Sequence, residues 1–277
     1  MARPPRWLDL MARPGVSQWM HRAVTARPPR VVVQAAIRAF ARAYKIDLDE
    51  IAEPIASFVT FQDFFTRSLR AGARPIEADP GRLPSPSDGT FSAFGALGEG
   101  VLVQAKGVEY RLDDLLGGNE DADAYRGGSY AVVYLAPHNY HRVHMPVDGT
   151  IVEWRYLPGA LYPVNQIGLR HVDGLFARNE RIIAHVESEV GRAAVILVGA
   201  TFVGHMRTVF TDLAANEGHA DTGLQRLDPM LALRRGDEVG VFEMGSTVVL
   251  IFERGDLQPE AALGQPIRMG EALLRLP

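Results

Sequence analysis

The sequence contains no cysteine, and this absence excludes disulfides, thiolate metal sites and cysteine nucleophiles together. The lack of thiols fits a protein of a reducing compartment. Lysine is nearly absent too, since Lys45 and Lys106 are the only two among 277 residues. Arginine therefore carries almost all of the positive charge. A coding bias can explain the preference for arginine, but it does not explain where the arginines cluster.

Long apolar runs are missing as well. No stretch of about 18 uncharged apolar residues occurs, so the sequence predicts no transmembrane helix. Arginine, proline and aspartate interrupt every apolar run near the N-terminus, which is not the pattern of a signal peptide. The remaining composition is ordinary for a globular protein, with 47% hydrophobic and 22% charged residues. A chain of this length can bury a sizeable core.

Positive charge is concentrated at the N-terminus. Residues 1–45 contain nine cationic side chains and one acidic residue, Asp9, a formal charge of +8, whereas the whole chain carries −4. Within residues 1–24, Trp7 and Trp19 stand with methionines between arginines, which suits an amphipathic segment lying on anionic lipid. The alternative is a helix that packs on its own domain. We expect no nucleic-acid binding, because no binding motif accompanies the charge.

Helical patterns dominate the first quarter of the chain. Apolar residues fall on one face of a helix over residues 31–44. Thr60 and Asp63 have the spacing of a capping box, which predicts a second helix from Thr60 to about Leu69. We therefore expect residues 1–70 to form an N-terminal helical, membrane-associating region.

A proline- and glycine-rich connector over residues 71–86 follows, and the pattern then changes. In residues 87–277, short β-type runs alternate with turn residues, and a short helix at 111–116 is compatible with the pattern. The predicted strands are 90–94, 100–105, 129–135, 148–157, 181–188, 193–204, 206–211, 238–243 and 247–253. Their spacing favours an α+β fold with a mainly antiparallel β-rich catalytic domain rather than a βαβ sheet.

Two polar clusters in the β-rich region are candidates for chemistry. Residues 86–89 include Asp88 followed by glycine, and alone they predict only a turn. His138, His141 and His144 lie close together in the chain. Metal binding is one interpretation, but nearby prolines argue against a helix that would bring their rings to one face, and no zinc-protease glutamate accompanies them. We therefore expect no metal, and favour a general base or proton relay.

A third cluster, Gly245-Ser246-Thr247, lies between two apolar runs. The second run, residues 248–252, is rich in β-branched residues and predicts a buried strand. A serine beside a flexible glycine carbonyl can attack that carbonyl once a base removes its proton. A hairpin turn is the plainer interpretation. The G-x-S-x-G pattern of a nucleophile elbow is absent, which disfavours a serine hydrolase.

Further motifs extend along nearly the whole chain in a fixed order. They are Phe61-x-x-Phe64-Phe65-x-Arg67-x-Leu69, Arg74-Pro75-Ile76, Ser87-Asp88-Gly89, Gln104-Ala105-Lys106-Gly107, Tyr140-His141-Arg142-Val143-His144-Met145-Pro146, Pro158-Gly159-x-Leu161-x-x-Val164-Asn165, Leu175-Phe176-Ala177-Arg178-Asn179-Glu180-Arg181, Val198-Gly199-Ala200-Thr201-x-Val203-Gly204 and Gly245-Ser246-Thr247. Together they closely resemble the proteobacterial type of phosphatidylserine decarboxylase proenzyme. Met244 stands where that family usually has leucine, a change that keeps volume and polarity.

The resemblance implies that the chain cleaves itself. His144, oriented by Asp88 as in a charge relay, would remove the hydroxyl proton of Ser246, which would attack the carbonyl of Gly245. The amide would become an ester, and elimination would release an α chain of residues 246–277. Hydrolysis with loss of ammonia would then leave a covalent pyruvoyl group, a bound pyruvate, where Ser246 had been.

The resemblance also implies the chemistry that follows. The pyruvoyl carbonyl formed from Ser246 would condense with the substrate amine as a Schiff base and accept the electrons released with CO2. The proton returned to the substrate would come from His141, with His144 as the alternative. His138 is a weaker candidate, because the family often has other residues there, and Lys106 has no assigned role.

The implied substrate is phosphatidylserine in an anionic membrane, which would give the basic N-terminus a use. We expect a peripheral protein on the cytoplasmic face of the cell membrane. The β chain, residues 1–245, would stay with its own α chain, and a homodimer is implied by resemblance alone. Leu161, Val164 and Phe176 could line an acyl or headgroup pocket, or could simply pack in the core.

Two other functions compete with the decarboxylase. A serine hydrolase would use Asp88, His144 and Ser246, and its chain would stay intact and react with a fluorophosphonate. A non-enzymatic, β-rich membrane-binding module would also stay intact, and it would be indifferent to replacement of Ser246.

Overall fold

The computed structural model describes residues 5–12, 14–98, 101–104, 108–201, 205–243 and 246–277. Within these ranges the predicted α+β class is confirmed. Helices predominate near the N-terminus, and a mainly antiparallel β region follows. None of the helices in the described ranges combines the length and the hydrophobicity needed to cross a membrane.

The N-terminal helices are α1 (Arg6–Met11), α2 (Pro14–Thr25), α3 (Arg30–Tyr44) and α4 (Phe61–Phe65), with a 3-10 turn at Ile55–Ser57. The helix predicted over 31–44 is therefore confirmed as α3. Its apolar face buries Val33, Ile37 and Ala41. These side chains pack with Phe58 and Phe64 in a small core of their own.

The predicted capping box is confirmed at the start of α4. The hydroxyl of Thr60 accepts a hydrogen bond from the amide of Asp63 at 3.0 Å, and Oδ2 of Asp63 accepts one from the amide of Thr60 at 2.9 Å. The prediction that this helix runs to Leu69 is wrong. It ends at Phe65, and the chain beyond it bonds to residues 50–52, so a tertiary partner replaces the last helical turn.

Helix α1 packs on the β-rich region. Leu8 is fully buried in the main core. The hydroxyl of Tyr162 donates to Asp9 at 2.7 Å, and the amide of Leu161 donates to the carbonyl of Ala12 at 3.2 Å. On the opposite face, half or more of the Trp7 side chain is exposed. One face of this helix is therefore committed to the chain's own core, which leaves only the other for a membrane.

Sixteen strands occur within the described ranges. They are β1 Arg82–Pro84, β2 Gly89–Ala96, β3 Val101–Gln104, β4 Val108–Arg111, β5 Ser129–Leu135, β6 Arg142–His144, β7 Gly149–Leu157, β8 Arg181–Ser188, β9 Ala193–Val198, β10 Met206–Thr208, β11 Gln225–Leu233, β12 Glu238–Phe242, β13 Ser246–Phe252, β14 Gln258–Pro259, β15 Pro266–Ile267 and β16 Ala272–Arg275. Four short helices lie among them: α5 Leu112–Leu116, α6 Asn119–Asp123, α7 Gln166–His171 and α8 Leu175–Arg178.

Eight of the strands form the central sheet, in the order β11-β7-β8-β9-β13-β5-β2-β15. Strand β13 lies between β9 and β5, and all seven of its residues are buried. Its continuous β-branched sequence suits this position, because a strand covered on both faces needs no polar alternation. A smaller sheet, β10-β12-β6, carries the chain that leads towards the start of β13.

Most predicted strands agree with the structure, and so does the predicted helix at 111–116. The runs 193–204 and 206–211 are exceptions, because their strands end at Val198 and Thr208. The short strands β1 (inside the predicted connector), β4, β6, β14, β15 and β16 were not predicted, and neither was the longer strand β11. Strand β11 contains Pro229 and is mostly exposed, as expected of a strand at the edge of a sheet. Its sequence therefore lacks the apolar run by which the other strands were predicted.

Candidate active site

The ends of three neighbouring strands bring Asp88 and Ser246 to one edge of the central sheet. Ser246 begins β13 and lies opposite Leu135, the last residue of β5. On the other side of β5, Thr90 of β2 lies opposite Tyr134, so Asp88 is just beyond the same edge. Residues from distant parts of the sequence therefore meet, because the starts of β13 and β2 lie beside the end of their shared antiparallel neighbour β5.

Glycine at position 89 permits this close approach. A Cβ atom there would lie 2.4 Å from the carbonyl oxygen of Tyr134, inside any acceptable contact distance. The glycine that follows Asp88 is therefore required by strand packing and not only by a turn. A larger residue would push Asp88 away from β5.

Ser246 opens into an apolar cavity. Its side chain is fully buried, and its hydroxyl has no hydrogen-bond partner within the described part of the chain. The cavity has a volume of about 200 Å³ and is lined by Met11, Phe65, Tyr134, Leu135, Pro137, Pro163, Val164, Asn165, Ala200, Thr201 and Ser246. A hydroxyl without a partner in such surroundings is available for chemistry.

A second cavity of about 370 Å³ shares Tyr134, Val164 and Asn165 with the first. Phe176 and Thr247 also line it. Two of the three apolar residues predicted for a pocket, Val164 and Phe176, therefore border the cavities beside Ser246. The third, Leu161, lines a separate cavity that also contains Glu180 and His219.

His141 is completely buried and presents one free ring nitrogen. Its Nδ1 lies 2.8 Å from the carbonyl oxygen of Asn139, and because a carbonyl only accepts, Nδ1 carries the proton. The lone pair is then on Nε2, which has no partner among the described residues. The ring packs at 4.0 Å from that of Phe65, which also lines the Ser246 cavity.

Electrostatics keep His141 neutral. Burial, together with the cationic Arg67 nearby, lowers its pKa to about 3. Arg67 is itself buried and donates to the carbonyl of His138 at 3.2 Å. A neutral imidazole with a free Nε2 can accept a proton in a catalytic step and return it.

Both ring nitrogens of His144 have partners. Nδ1 donates to the carbonyl of Gly236 at 2.8 Å, and Nε2 lies 3.2 Å from the hydroxyl of Tyr140, which can donate to it. The tautomer therefore matches that of His141, but the lone pair is occupied. Burial lowers the pKa of His144, so this ring is also neutral.

Asp88 does not hydrogen-bond to His144, contrary to the expected orientation of the histidine. Its carboxylate accepts from Nε and Nη2 of Arg74 at 2.8 and 2.7 Å, and from the amide of Met269 at 2.9 Å. Three donors, two of them on one guanidinium, therefore engage both oxygens of this carboxylate. His144 nonetheless lies close by, since its amide donates to the carbonyl of Pro86 at 2.8 Å.

Two residues of this cluster had no role in the sequence interpretation. Arg74 neutralises the charge of Asp88 and also pairs with Glu50 at 2.9 Å. The hydroxyl of Tyr140 is the hydrogen-bond partner of the Nε2 lone pair of His144. Both belong to motifs of the family resemblance, Arg74-Pro75-Ile76 and the stretch from Tyr140. That membership was the available signal, but it does not specify which atoms meet.

The other candidates have different surroundings. His138 stacks on Tyr44 at 5.8 Å and borders a cavity with Asp88 and Tyr140, away from Ser246. Gly245 and Lys106 lie outside the described residues. His138, His141 and His144 do not form a metal-ligand group in the described part of the chain, where the group with suitable spacing is His21, His205 and Glu243.

Comparison with known proteins identifies relatives along almost the whole chain. A profile of the family described as phosphatidylserine decarboxylase matches residues 61–275. Three curated proteins named phosphatidylserine decarboxylase proenzyme are similar. That of Brevibacillus brevis is 40% identical, covering 90% of each chain. That of Anaeromyxobacter sp. is 42% identical, covering 96% of this chain and 95% of its own. That of Acidovorax ebreus is 43% identical, covering 95% and 94%.

Proposed function

Because the chain belongs to the phosphatidylserine decarboxylase family, we propose that it converts phosphatidylserine to phosphatidylethanolamine and CO2. The pyruvoyl group for this reaction is made from its own Ser246. The observation that carries the proposal is the Ser246 hydroxyl, which is buried, has no partner among the described residues and is open to an apolar cavity.

The first step is self-cleavage. Ser246 Oγ attacks the carbonyl of residue 245 and transfers its proton to a histidine, so that the peptide bond becomes an ester. We assign the base to His144, which stands beside the Asp88 turn. For this step, Nε2 of His144 must give up its hydrogen bond to the hydroxyl of Tyr140 and accept one from the hydroxyl of Ser246 instead. Elimination and hydrolysis, with release of ammonia, then complete the conversion.

The pyruvoyl group supplies a carbonyl that binds the substrate amine and an adjacent electron sink for the pair released with CO2. The residues around it supply the remaining functions. Nε2 of His141 is buried and unpartnered among the described residues, so it can first take up a proton on its lone pair and then pass that proton to the substrate. The apolar side chains that line the two cavities exclude water from the carbon that is protonated.

The substrate is part of a bilayer, so the enzyme must reach a membrane surface. Several exposed apolar side chains near the N-terminus are suited to this, namely Trp7, Leu10, Val31 and Val32. They lie in the segment that carries a formal charge of +8, which attracts anionic headgroups. We propose peripheral binding to the cytoplasmic face of the cell membrane, and a homodimer of processed β and α chains.

Intact-protein mass spectrometry tests self-processing. The wild-type protein should yield fragments 1–245 and 246–277, the smaller with a carbonyl that borohydride reduces. Ser246→Ala should remain one chain. Ser129→Ala is a matched control, because Ser129 is equally buried at the opposite end of β5, and it should cleave normally.

Decarboxylation of phosphatidylserine in vesicles should follow cleavage. A wild-type chain that stays intact during prolonged incubation with lipid would contradict the proposal. Labelling of that intact chain by a fluorophosphonate would then favour a serine hydrolase.

A further inference from the structure

A group of potential metal ligands lies outside the Ser246 cavity. His21 is on α2, His205 immediately precedes β10, and Glu243 immediately follows β12. One ligand atom from each residue lies within 4.8 Å of the other two. Nδ1 of His205 is 3.3 Å from Oε2 of Glu243, and Nδ1 of His21 is 3.6 Å from the same oxygen. Three distant segments therefore direct donors towards one point.

Two of these atoms are buried without a hydrogen-bond partner in the described part of the chain, Nδ1 of His21 and Oε2 of Glu243. The other carboxylate oxygen is engaged, because Nε of Arg207 lies 2.9 Å from Oε1. An unpartnered carboxylate oxygen destabilises a folded protein unless something compensates for it. A cation at the common point would satisfy both atoms together.

The donor set is typical of one class of ion. Two imidazoles and one glutamate are the ligands of catalytic zinc sites, where a fourth position is left for water. Ligand atoms about 2.1 Å from a tetrahedral ion lie about 3.4 Å from each other. Both distances to Oε2 of Glu243 already fall near that value. The ligand atoms of the two histidines lie within 4.8 Å of each other, and binding of an ion would draw them closer.

The neighbouring charges also suit an ion. Oε1 of Glu217 lies 3.7 Å from Nε2 of His205, on the side of the ring away from Glu243, and this distance is within ion-pair range but longer than a hydrogen bond. Glu217 therefore adds a second negative charge beside the site. Arg207 opposes a cation, but its side chain is more than half exposed.

We propose that His21, His205 and Glu243 bind one divalent transition-metal ion of the zinc class, which ties helix α2 to the segment just before Ser246. The site is independent of the pyruvoyl chemistry. It connects the N-terminal region, through His21, to the end of β12, through Glu243. Thus the ion joins two parts of the molecule that are about 220 residues apart in sequence.

Cobalt(II) substitution tests the site directly. The full-length wild-type protein and the full-length Ser246→Ala variant are dialysed against a chelator and titrated with Co²⁺, and the visible absorption is recorded. Both should bind one equivalent with the intense spectrum of a four- or five-coordinate ion, and one equivalent of Zn²⁺ should abolish that spectrum. Using Ser246→Ala separates metal binding from self-processing, so failure of one does not imply failure of the other.

Three variants assign the ligands. His21→Gln, His205→Gln and Glu243→Gln should each weaken binding by more than about 100-fold, because loss of a direct ligand exceeds the effect of an outer-shell change. His171→Gln is the matched control, since His171 is exposed on α7, and it should bind normally. Circular dichroism and the thermal midpoint without metal establish that each variant is folded. His21→Gln is the most informative of the three, because His21 has no hydrogen bond to lose at Nδ1.

Two results would overturn the proposal. One is the absence of saturable one-to-one binding below about 10 µM in the wild-type protein. The other is binding that survives unchanged in folded His21→Gln and His205→Gln proteins. If the proposal is correct, Zn²⁺ raises the thermal midpoint of the wild type and of His171→Gln but not of His21→Gln.

Discussion

Two buried polar clusters lie at the same edge of the central sheet, and they differ in how completely their atoms are partnered. Around Asp88, both carboxylate oxygens accept hydrogen bonds, with Arg74 supplying two donors and Met269 a third. Around Ser246, the serine hydroxyl and Nε2 of His141 have no partner in the described residues. The charged group of the first cluster is ion-paired, although the neighbouring Ser87 hydroxyl has no partner in the described residues, whereas the second cluster leaves its reactive atoms free.

The difference indicates different roles. An ion-paired cluster holds backbone segments in place, and here it links the Asp88 turn to Arg74 and Glu50. Free lone pairs in a buried, apolar site cost stability, and such costs are tolerated where a reaction uses them. We therefore assign proton transfer in decarboxylation to His141, and positioning to Asp88 and Arg74. Ser246 remains the nucleophile of self-cleavage, with His144 as its base.

The largest effect is expected at His141. His141→Asn keeps a donor for the carbonyl of Asn139 but removes Nε2, so self-cleavage should persist while decarboxylation falls by about 10²–10⁴-fold, the usual contribution of a positioned acid or base. Mass spectrometry and CO2 release from phosphatidylserine vesicles measure the two steps. His185→Asn is the control, because His185 is equally buried and its Nε2 is also unpartnered among the described residues, but its ring packs on Tyr125 and not on Phe65 of the Ser246 cavity. If His141→Asn and His185→Asn lost decarboxylation equally, the assignment of proton transfer to His141 would be wrong.

The next effect is on stability at Asp88. Asp88→Asn leaves Arg74 paired with Glu50 but removes the charged acceptor of two of its N–H groups, so urea denaturation of the uncleaved Ser246→Ala background should show a loss of about 1–3 kcal/mol in the free energy of unfolding. The exposed pair Arg254–Asp256 is the control, and Asp256→Asn should leave the free energy of unfolding nearly unchanged.

In the processing-competent chain, Asp88→Asn should also cleave more slowly. Burial lowers the pKa of His144 and the Asp88 charge partly offsets that lowering, so removal of the charge makes this base weaker. Cleavage is followed at a temperature where the variant is folded. A stable Asp88→Asn protein that cleaves at the wild-type rate would show that the carboxylate is dispensable for both functions.

A smaller effect concerns pH. Burial lowers the pKa of both His141 and His185 from 6.5 to about 3. Below pH 6.5 these two side chains bind protons in the unfolded chain but stay unprotonated in the folded protein. The free energy of unfolding should therefore fall as the pH is lowered from 6.5 towards 3. Above pH 6.5 their contribution is constant. His185→Gln should flatten this slope in acid denaturation curves, and an unchanged slope would contradict the assignment of a neutral His185.

The smallest effect is expected at Tyr140. Tyr140→Phe removes the hydrogen bond between the hydroxyl and Nε2 of His144, which should lower the free energy of unfolding by about 1 kcal/mol. It also frees the lone pair, so self-cleavage should be at least as fast as in the wild type if His144 is the base. Slower cleavage in a folded Tyr140→Phe protein would mean that the hydroxyl takes part in the reaction. Tyr44→Phe is the control, because Tyr44 is exposed and stacks on His138 instead.

Sequence patterns predicted local structure well where the signal is local. The capping box at Thr60, the amphipathic face of α3 and the buried run of β13 depend on residues a few positions apart, and all three were found. The end of α4 and the extent of β9 were wrong, because backbone partners elsewhere in the fold decided them. Strand β11 was missed because its composition is not typical of a strand. Its extended conformation depends on pairing with β7 on one side.

The sequence by itself determined which reactive groups the protein has: a serine after glycine before a buried strand, a small set of histidines and no thiol. Only the tertiary structure decided how those groups are partnered. Asp88 meets an amide 181 residues away, and Nδ1 of His144 meets a carbonyl 92 residues away. The same packing leaves Nε2 of His141 free. The physical reason is that a hydrogen bond requires a donor and an acceptor within about 3 Å, and across such separations only the packed chain fixes that distance.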